Sequence, residues 1–424
     1  MAAKMKVLVV GGGGREHAVV AKLNESPLVD KLYCAPGNGG IASIAQCVNI
    51  KATDVEAMVD FAVKEGIDFV CVTPDDPLAL GMVDAMEARG IAAFGPCQAA
   101  AQLEASKDFS KDLMHKYNIP TAEYAVFTEV EPARAYIREK GAPIVVKADG
   151  LALGKGVIVA STVEEALEAV DAIMVEGRFG AAGARVLVEE CLTGPEVSMM
   201  CFTDGKTIVP MVPSQDHKRA YDNDEGPNTG GLGVIAPTPN MTASLSAEVM
   251  ETVLIPTIRA MEAEGRLFKG VLYAGLMITP KGPKVLEYNA RFGDPETQAV
   301  LPMLKSDLME IFMAVREGRL ESCPIEWKQG ASALVVVAAG GYPGSYEKGN
   351  VISGLDEVEN AFVYHAGTAL KDGNIVTNGG RVLGVSAQGE TLATALDTAY
   401  AAVEKIKFKD AFCRHDIGAK VKGV

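Results

Sequence analysis

Val285-Leu286-Glu287-Tyr288-Asn289-Ala290-Arg291-Phe292-Gly293-Asp294-Pro295-Glu296 is the stretch from which the fold is read. Side chains on an extended strand alternate between two faces, so Glu287, Asn289 and Arg291 fall on one side and Leu286, Tyr288 and Ala290 on the other. The second side is apolar enough to be core. The first groups two oxygen donors with a guanidinium, and magnesium takes hard oxygen ligands completed by phosphate oxygens and water. The plainer reading is a solvent-facing polar stripe; the apolar opposite face speaks against it.

Around this stretch lie further strands at Leu272 to Thr279 and Lys284 to Tyr288 and a helix from Ser306 to Glu317. They indicate an α+β platform over residues 197–330. Upstream, Val145-Val146-Lys147-Ala148-Asp149-Gly150-Leu151-Ala152-Leu153-Gly154-Lys155-Gly156-Val157 ends one strand in a lysine and enters the next through a glycine-lysine loop. It is not a Walker loop, because Gly156 follows Lys155 where Ser or Thr is required. A loop between antiparallel strands can instead close over a triphosphate, with backbone amides and Lys155 above and Lys147 below. With strands at Ile144 to Lys147, Gly156 to Ala160 and Arg185 to Glu189 and a helix from Val163 to Glu176, this gives a small α+β lid over 105–196. The bland alternative is a hairpin with solvated lysines.

The strand Val188-Glu189-Glu190 runs through Cys191-Leu192-Thr193-Gly194-Pro195 to Glu196. Carboxylates repel phosphates but accept hydrogen bonds from an adenine amino group and ribose hydroxyls, although a charged strand end needs no ligand at all. Residues Ser214 to Gly233, with Asp216, His217, Lys218 and the Thr229-Gly230-Gly231 turn, form a long charged loop in a well-patterned region, and such loops are often functional. No partner fixes His217 as a base, so substrate positioning is the expected role of the loop.

At the N-terminal end a buried strand from Lys6 leads through Gly11-Gly12-Gly13-Gly14 into a helix starting near Arg15 and Glu16. Loop amides and a helix N-terminus together suit an anion, here a substrate phosphate assisted by Arg15. A dinucleotide site would want an acid at the end of the second strand, and Tyr33 to Pro36 has none. A purely structural turn is the other alternative. Strands at Phe69 to Thr73 and Ala92 to Phe94 extend the unit to a doubly wound parallel sheet over 1–104. After Trp327 a strand at Ala333 to Ala339 and a helix from Leu392 to Ile406 make a small α+β cap over 331–424.

The chain has 424 residues and a formal charge of -15, which leaves no general attraction to nucleic acid or anionic membrane. Its eight cysteines include no C-x-x-C pair and read as reduced core residues. No leader-like or membrane-spanning run is present, so a cytoplasmic protein is expected.

Taken together, the motifs resemble the ATP-grasp ligases, and within them the phosphoribosylamine-glycine ligases. The likeness runs from Arg15-Glu16-His17-Ala18 and Pro36-Gly37-Asn38 through Ser106-Lys107-Asp108-Phe109, Lys147-Ala148-Asp149-Gly150 and Ser214 to Gly233. It continues through Arg291-Phe292-Gly293-Asp294-Pro295-Glu296-Thr297-Gln298 to His365-Ala366-Gly367-Thr368 and Thr377-Asn378-Gly379-Gly380-Arg381. This resemblance implies ligation of glycine to 5-phosphoribosylamine with ATP and magnesium, manganese being an alternative, by a monomer or weak homodimer. It implies Lys107, Lys147 and the Gly154-Lys155-Gly156 loop on the triphosphate, and Glu189, Glu190, Leu192 and Glu196 around the nucleoside. Glu287 and Asn289 would hold the metal. Arg291, Asp294, Asp216, Lys218, Thr229, Gly230 and Gly231 would surround glycine and the amine, and Gly13, Gly14 and Arg15 the sugar phosphate, with Arg291, Lys147 and Lys155 as the catalytic cations. Where many of these enzymes carry a second metal-binding acid, the sequence reads Tyr273-Ala274-Gly275-Leu276-Met277. Competing readings are a bicarbonate-using ATP-grasp ligase, such as a biotin carboxylase or an aminoimidazole ribonucleotide carboxylase, and a silent nucleotide-binding module.

Overall fold

The structure, a computed structural model, describes residues 4–149, 156–178 and 180–421. Its first unit is a five-stranded parallel sheet in the order Gln46–Cys47, Val29–Pro36, Met5–Gly11, Phe69–Val72 and Ala92–Phe94. The middle strand is buried over its last five positions, as a Val- and Leu-rich strand covered on both faces must be. The chain leaves this strand to pair first on one side and later on the other. That reversal opens a crevice at the carboxyl end of Met5–Gly11, where α/β folds bind ligands. The glycine loop lies there, ahead of the helix Gly14–Asn24.

A second, antiparallel sheet runs Tyr124–Phe127, Val186–Glu190, Ile144–Ala148, Val157–Ala160, with the helices Val130–Lys140 and Val163–Val170 packed against it. The helix expected to reach Glu176 stops as an α-helix at Val170 and continues as a wider π-type turn, Asp171–Val175.

The third sheet, Ile208–Pro210, Glu196–Thr203, Gly270–Thr279, Gly282–Asn289, carries the diagnostic strand at its edge. Here the simple alternation fails. Gly275 pairs with Glu287 and Leu276 with Val285, leaving Leu286 as an extra residue. A bulge flips the facing of everything on one side of it. Val285 and Tyr288 are therefore both core, at 0% and 3% exposure, while Leu286 lines a cleft rather than the core face expected for it. Glu287 and Asn289 still share a face. Their cross-strand neighbours are Gly275 and Tyr273, so no further acid stands opposite.

A last sheet, Gln215–Asp216, Gly233–Ala236, Ala331–Ala338, Arg381–Gly389, Phe362–His365, draws strands from both sides of position 330. One apolar cluster ties it to the first and third sheets through Phe94, Phe202, Phe292, Phe312 and Leu334, with the Phe94 and Phe312 rings stacked at 3.9 Å. No helix among the described residues is long and apolar enough to cross a membrane.

Candidate active site

A cleft of about 1150 Å³ is lined by residues of the parallel-sheet unit, the antiparallel sheet that holds Ile144–Ala148 and Val186–Glu190, the bulged strand and the C-terminal region, among them Arg15, Asp75, Lys147, Glu287, Arg414 and Lys420. Its middle is built on lysines. Lys147, 6% exposed, sends its Nζ to Glu189 Oε2 at 2.8 Å and to the carbonyl of the bulge residue Leu286 at 3.1 Å. Lys111 reaches the same Glu189 oxygen at 3.3 Å and donates to Thr121 Oγ1 at 2.7 Å. Burial alone would push Glu189 up, but the two ammonium groups hold it below the usual carboxylate range. Its Oε1 is buried with no partner among the described residues, an acceptor suited to an amino group. Burial pulls Lys111 down to about 8. Sequence reading passed over Lys111, although it lies four residues after Lys107 on the helix Lys107–Lys116 and so shares its face.

The start of that helix is fixed by two motifs meeting. Asp149 Oδ1 accepts from the N–H groups of Lys107 and Asp108, at 2.8 and 3.2 Å, while Ser106 Oγ accepts from Phe109 at 3.1 Å. Arg185 bridges Asp108 and Asp149. Glu190 pairs with Lys284 at 3.1 Å and Glu196 with Lys218 at 3.0 Å, and Leu192 and Gly156 line the same cleft. Gly154 and Lys155 lie outside the described residues.

Glu287 sits among cations. Burial raises it, yet Lys218, Lys147, Lys107 and Arg291 together keep it below the usual range, so it is ionised at neutral pH. Asn289 Oδ1 accepts from Arg291 Nη2 at 3.0 Å and retains a second lone pair. No cluster of three metal-ligating acid, His or Cys side chains occurs among the described residues. One carboxylate and one amide oxygen fit a magnesium ion carried mainly by phosphate oxygens and water.

Beyond Arg291 the chain turns to Asp294, which accepts from Gln298 Nε2 at 2.8 Å and from Arg381 Nη2 at 2.9 Å. Arg381 also donates to the carbonyls of Asp294 and Gly230. Burial raises Asp294, but Arg381 and Arg15 keep it in the low range. The Gly230 N–H meets Tyr342 Oη at 3.1 Å. Arg381 and Tyr342 come from the C-terminal sheet region, and a single sequence carries no sign that they reach this cleft.

Asp216 accepts its neighbour's N–H, that of His217, at 2.7 Å. Burial and nearby Glu296 push it well above the carboxylate range. A Cβ on Gly231, whose φ is +102°, would stand 2.5 Å from both Asp216 Oδ1 and Pro295 Cδ, so only glycine fits this turn. Thr229 closes the turn onto Lys218 O at 2.8 Å. His217 is not poised as a base: its Nδ1 lies 3.1 Å from Gly233 O and its Nε2 accepts from Gly418 N–H at 3.1 Å.

The glycine loop departs from expectation. The Gly13 amide is not open to an anion, because Glu16 Oε2 accepts it at 2.6 Å while Glu16 Oε1 pairs with Arg15 Nε at 2.6 Å. Glu16 thus neutralises Arg15 and closes the first turn of the helix. A Cβ on Gly14 would meet Gln298 Nε2 at 2.4 Å, which makes this glycine a packing requirement.

Sequence profiles of the phosphoribosylglycinamide synthetase N domain, ATP-grasp (A) domain and C domain match residues 5–104, 105–297 and 332–420. The phosphoribosylamine–glycine ligase of Caldanaerobacter subterraneus subsp. tengcongensis is 50% identical over 415 residues, 98% of this chain and 100% of its own. That of Escherichia coli is 53% identical over 420 residues, 98% of each chain. The crystal structure of the phosphoribosylamine–glycine ligase from Thermotoga maritima superposes with a TM-score of 0.86 at 32% identity, covering 97% of this chain and 99% of that one.

Proposed function

The chain belongs to the phosphoribosylglycinamide synthetase family, and on that premise we propose that its cleft joins glycine to 5-phosphoribosylamine through a glycyl phosphate. ATP-dependent ligation of glycine to phosphoribosylamine is the reaction of this family in purine biosynthesis. The observation that carries the mechanism is the ring of Lys107, Lys147, Lys218 and Arg291 around Glu287 in one cleft.

A carboxylate is a poor electrophile until one of its oxygens becomes a leaving group. In the first step a glycine carboxylate oxygen bonds to the γ-phosphorus, and the bond from that phosphorus to the bridging oxygen breaks, leaving ADP. Lys107 and Lys147, with Lys155 and the Gly154 to Gly156 loop, spread the negative charge of the transferring group. Glu287 and Asn289 would hold magnesium, or manganese in its place. When bound, that ion shields the phosphoryl oxygens and orients the triphosphate. Glu189, Glu190, Leu192 and Glu196 take the nucleoside, the orphan Oε1 of Glu189 being a natural acceptor.

In the second step the amine nitrogen bonds to the acyl carbon, the carbon–oxygen bond to phosphate breaks, and the proton given up by the nitrogen leaves on the departing phosphate. Arg291 serves the carboxylate end of glycine. Asp216, Lys218, the Thr229-Gly230-Gly231 turn and Asp294 hold the amine and glycine close, which supplies much of the acceleration. The sugar phosphate lies toward Gly13, Gly14 and Arg15, where Glu16 has already claimed part of the charge. The lid sheet keeps water from the acyl phosphate. A monomer or weak homodimer in the cytoplasm, acting on small molecules, completes the reading.

Glycine labelled with ¹⁸O in its carboxylate tests it. One labelled oxygen per turnover should appear in inorganic phosphate; label confined to the amide product would refute the acyl phosphate route.

A further inference from the structure

Arg291 is held from outside its own strand. Its Nη2 pairs with Glu104 Oε1 at 2.9 Å as well as donating to Asn289, and its Nη1 donates to Phe292 O at 3.1 Å. Glu104 comes from the helix Gln98–Ala105, and its other oxygen accepts the Ala290 N–H at 2.7 Å. One carboxylate, with its side chain only 8% exposed, thus grips both the backbone entering Arg291 and the guanidinium itself. The Nε of Arg291 is buried and has no partner among the described residues, although Arg291 and Glu104 both line the cleft.

These contacts fix a direction. A guanidinium tied at both terminal nitrogens cannot rotate to serve several partners, and its fork geometry is set before any ligand arrives. The same pair of helices carries Lys107, three residues after Glu104 and just past the Ser106 cap. The grip on Arg291 and the grip on phosphate are therefore built on one rigid corner.

We propose that Glu104 is a positioning residue for Arg291, fixing the guanidinium so that its Nε–H meets the glycine carboxylate as that group is phosphorylated. This rests on the reading of the cleft given above. Removing Glu104 leaves the Arg291 charge in place on two neutral acceptors, Asn289 Oδ1 and Phe292 O, and releases the Ala290 N–H beside it, so the aim of the guanidinium loosens and the defect falls on glycine and not on nucleotide.

The test compares Arg291→Ala, Glu104→Gln, Glu104→Ala and the double alanine variant, with ATP and glycine varied separately and folding followed by thermal melting. Losing Arg291 or Glu104 to alanine should lower kcat/KM for glycine roughly 100-fold, the usual effect of losing one oriented donor, with KM for ATP within about threefold. Glu104→Gln keeps the shape and one acceptor, and should recover about tenfold of that loss. The double variant should be no worse than Arg291→Ala within about threefold, since residues acting as a unit are not additive. A crippled Arg291→Ala beside Glu104 variants with wild-type glycine kinetics would overturn the positioning role and spare the reaction. Equal losses for ATP and glycine with additive effects would reduce Glu104 to a structural prop and overturn it too. Wild-type kcat/KM in Arg291→Ala would remove the reading of the cleft itself, and the proposal with it.

Discussion

The Nε2 of His217 accepts the backbone N–H of Gly418 at 3.1 Å, across 201 residues of sequence. With Nδ1 directed at Gly233 O, the neutral ring carries its proton on Nδ1, and both nitrogens are spent on backbone. Burial lowers its proton affinity further.

His217→Gln is therefore expected to lower kcat by no more than about tenfold and to leave every limb of the pH–rate profile in place, since general-base loss typically costs about 10² to 10⁴. Loss of one limb in that profile would make His217 a proton acceptor after all.

Lys147→Ala should weaken ATP binding by about 1.5 to 3 kcal/mol, the range for a lost charged hydrogen bond. Lys111 remains to neutralise Glu189, so folding survives. Calorimetric titration with a non-hydrolysable nucleotide measures the change, and an unaltered affinity would take Lys147 off the triphosphate.

Glu287→Ala is expected to abolish turnover nearly completely while the chain stays folded, because it removes the carboxylate proposed to hold magnesium from an already polar site. The surrounding cations also disfavour a lone divalent ion. Magnesium without nucleotide should bind only in the millimolar order, and far more tightly once a triphosphate is present. Tight binding of magnesium to the nucleotide-free protein would contradict this arrangement.

His17 and His365 adjoin each other where the first helix meets the C-terminal sheet, the His365 N–H donating to His17 Nδ1 at 2.8 Å. Burial, with His365 beside it, lowers His17 to about 3, and burial lowers His365 to about 4. Both stay neutral in the fold while the unfolded chain protonates near 6.5, so their contribution is present above about pH 6.5 and fades as pH falls toward 4. Each should cost about 3 kcal/mol of stability across that window, the two together on the order of 6 kcal/mol. Urea melts should show the slope, and His17→Asn, which keeps an acceptor for the His365 amide, should flatten it; an identical slope in the variant would assign the loss to other groups.

Arg414, 1% exposed, binds Asp224 Oδ1 at 2.9 Å, both oxygens of Asp416 at 2.8 and 2.7 Å, and Arg219 O at 3.2 Å. It ties the C-terminal tail to the loop that carries Asp216 and Lys218. Burial would raise Asp416, but these bonds and the Asn223 N–H hold it at about 2. Arg414→Met should cost about 2 to 4 kcal/mol in denaturant titrations, discounted from a fully buried pair because Asp224 keeps solvent contact. A change below about 0.5 kcal/mol would show the cluster to be ornamental.

Local pattern made much of this protein legible. Runs such as Val7 to Val10 announce a strand covered on both faces, and Ile144 to Lys147 announces another, buried along its length. The bulge at Leu286 was hidden because register depends on the partner strand, which alternation within one segment cannot reveal. Glu104 and Arg381 reach the cleft from 187 and 90 residues away from Arg291, so only the tertiary fold brings them in. Two signals were present but unread: Glu16 stands three residues after Gly13, the spacing of a capping box, and Lys111 stands four after Lys107. The first explains why the glycine loop is less open to anions than its composition promised.

The sheet that joins Gln215–Asp216 and Gly233–Ala236 to Ala331–Ala338 has a consequence for how the protein is made. A ribosome releases the chain in order, so the sheet of Tyr124–Phe127 and Val186–Glu190 and the sheet of the bulged strand both emerge before three of the strands this sheet needs. Until those arrive, Gly233–Ala236 is an unsatisfied border, the kind of edge that recruits foreign strands. Synthesis thus delivers those sheets whole and two strands of this one before Ala331–Ala338, Phe362–His365 and Arg381–Gly389 arrive, and those late strands are the clasp that shuts the open border.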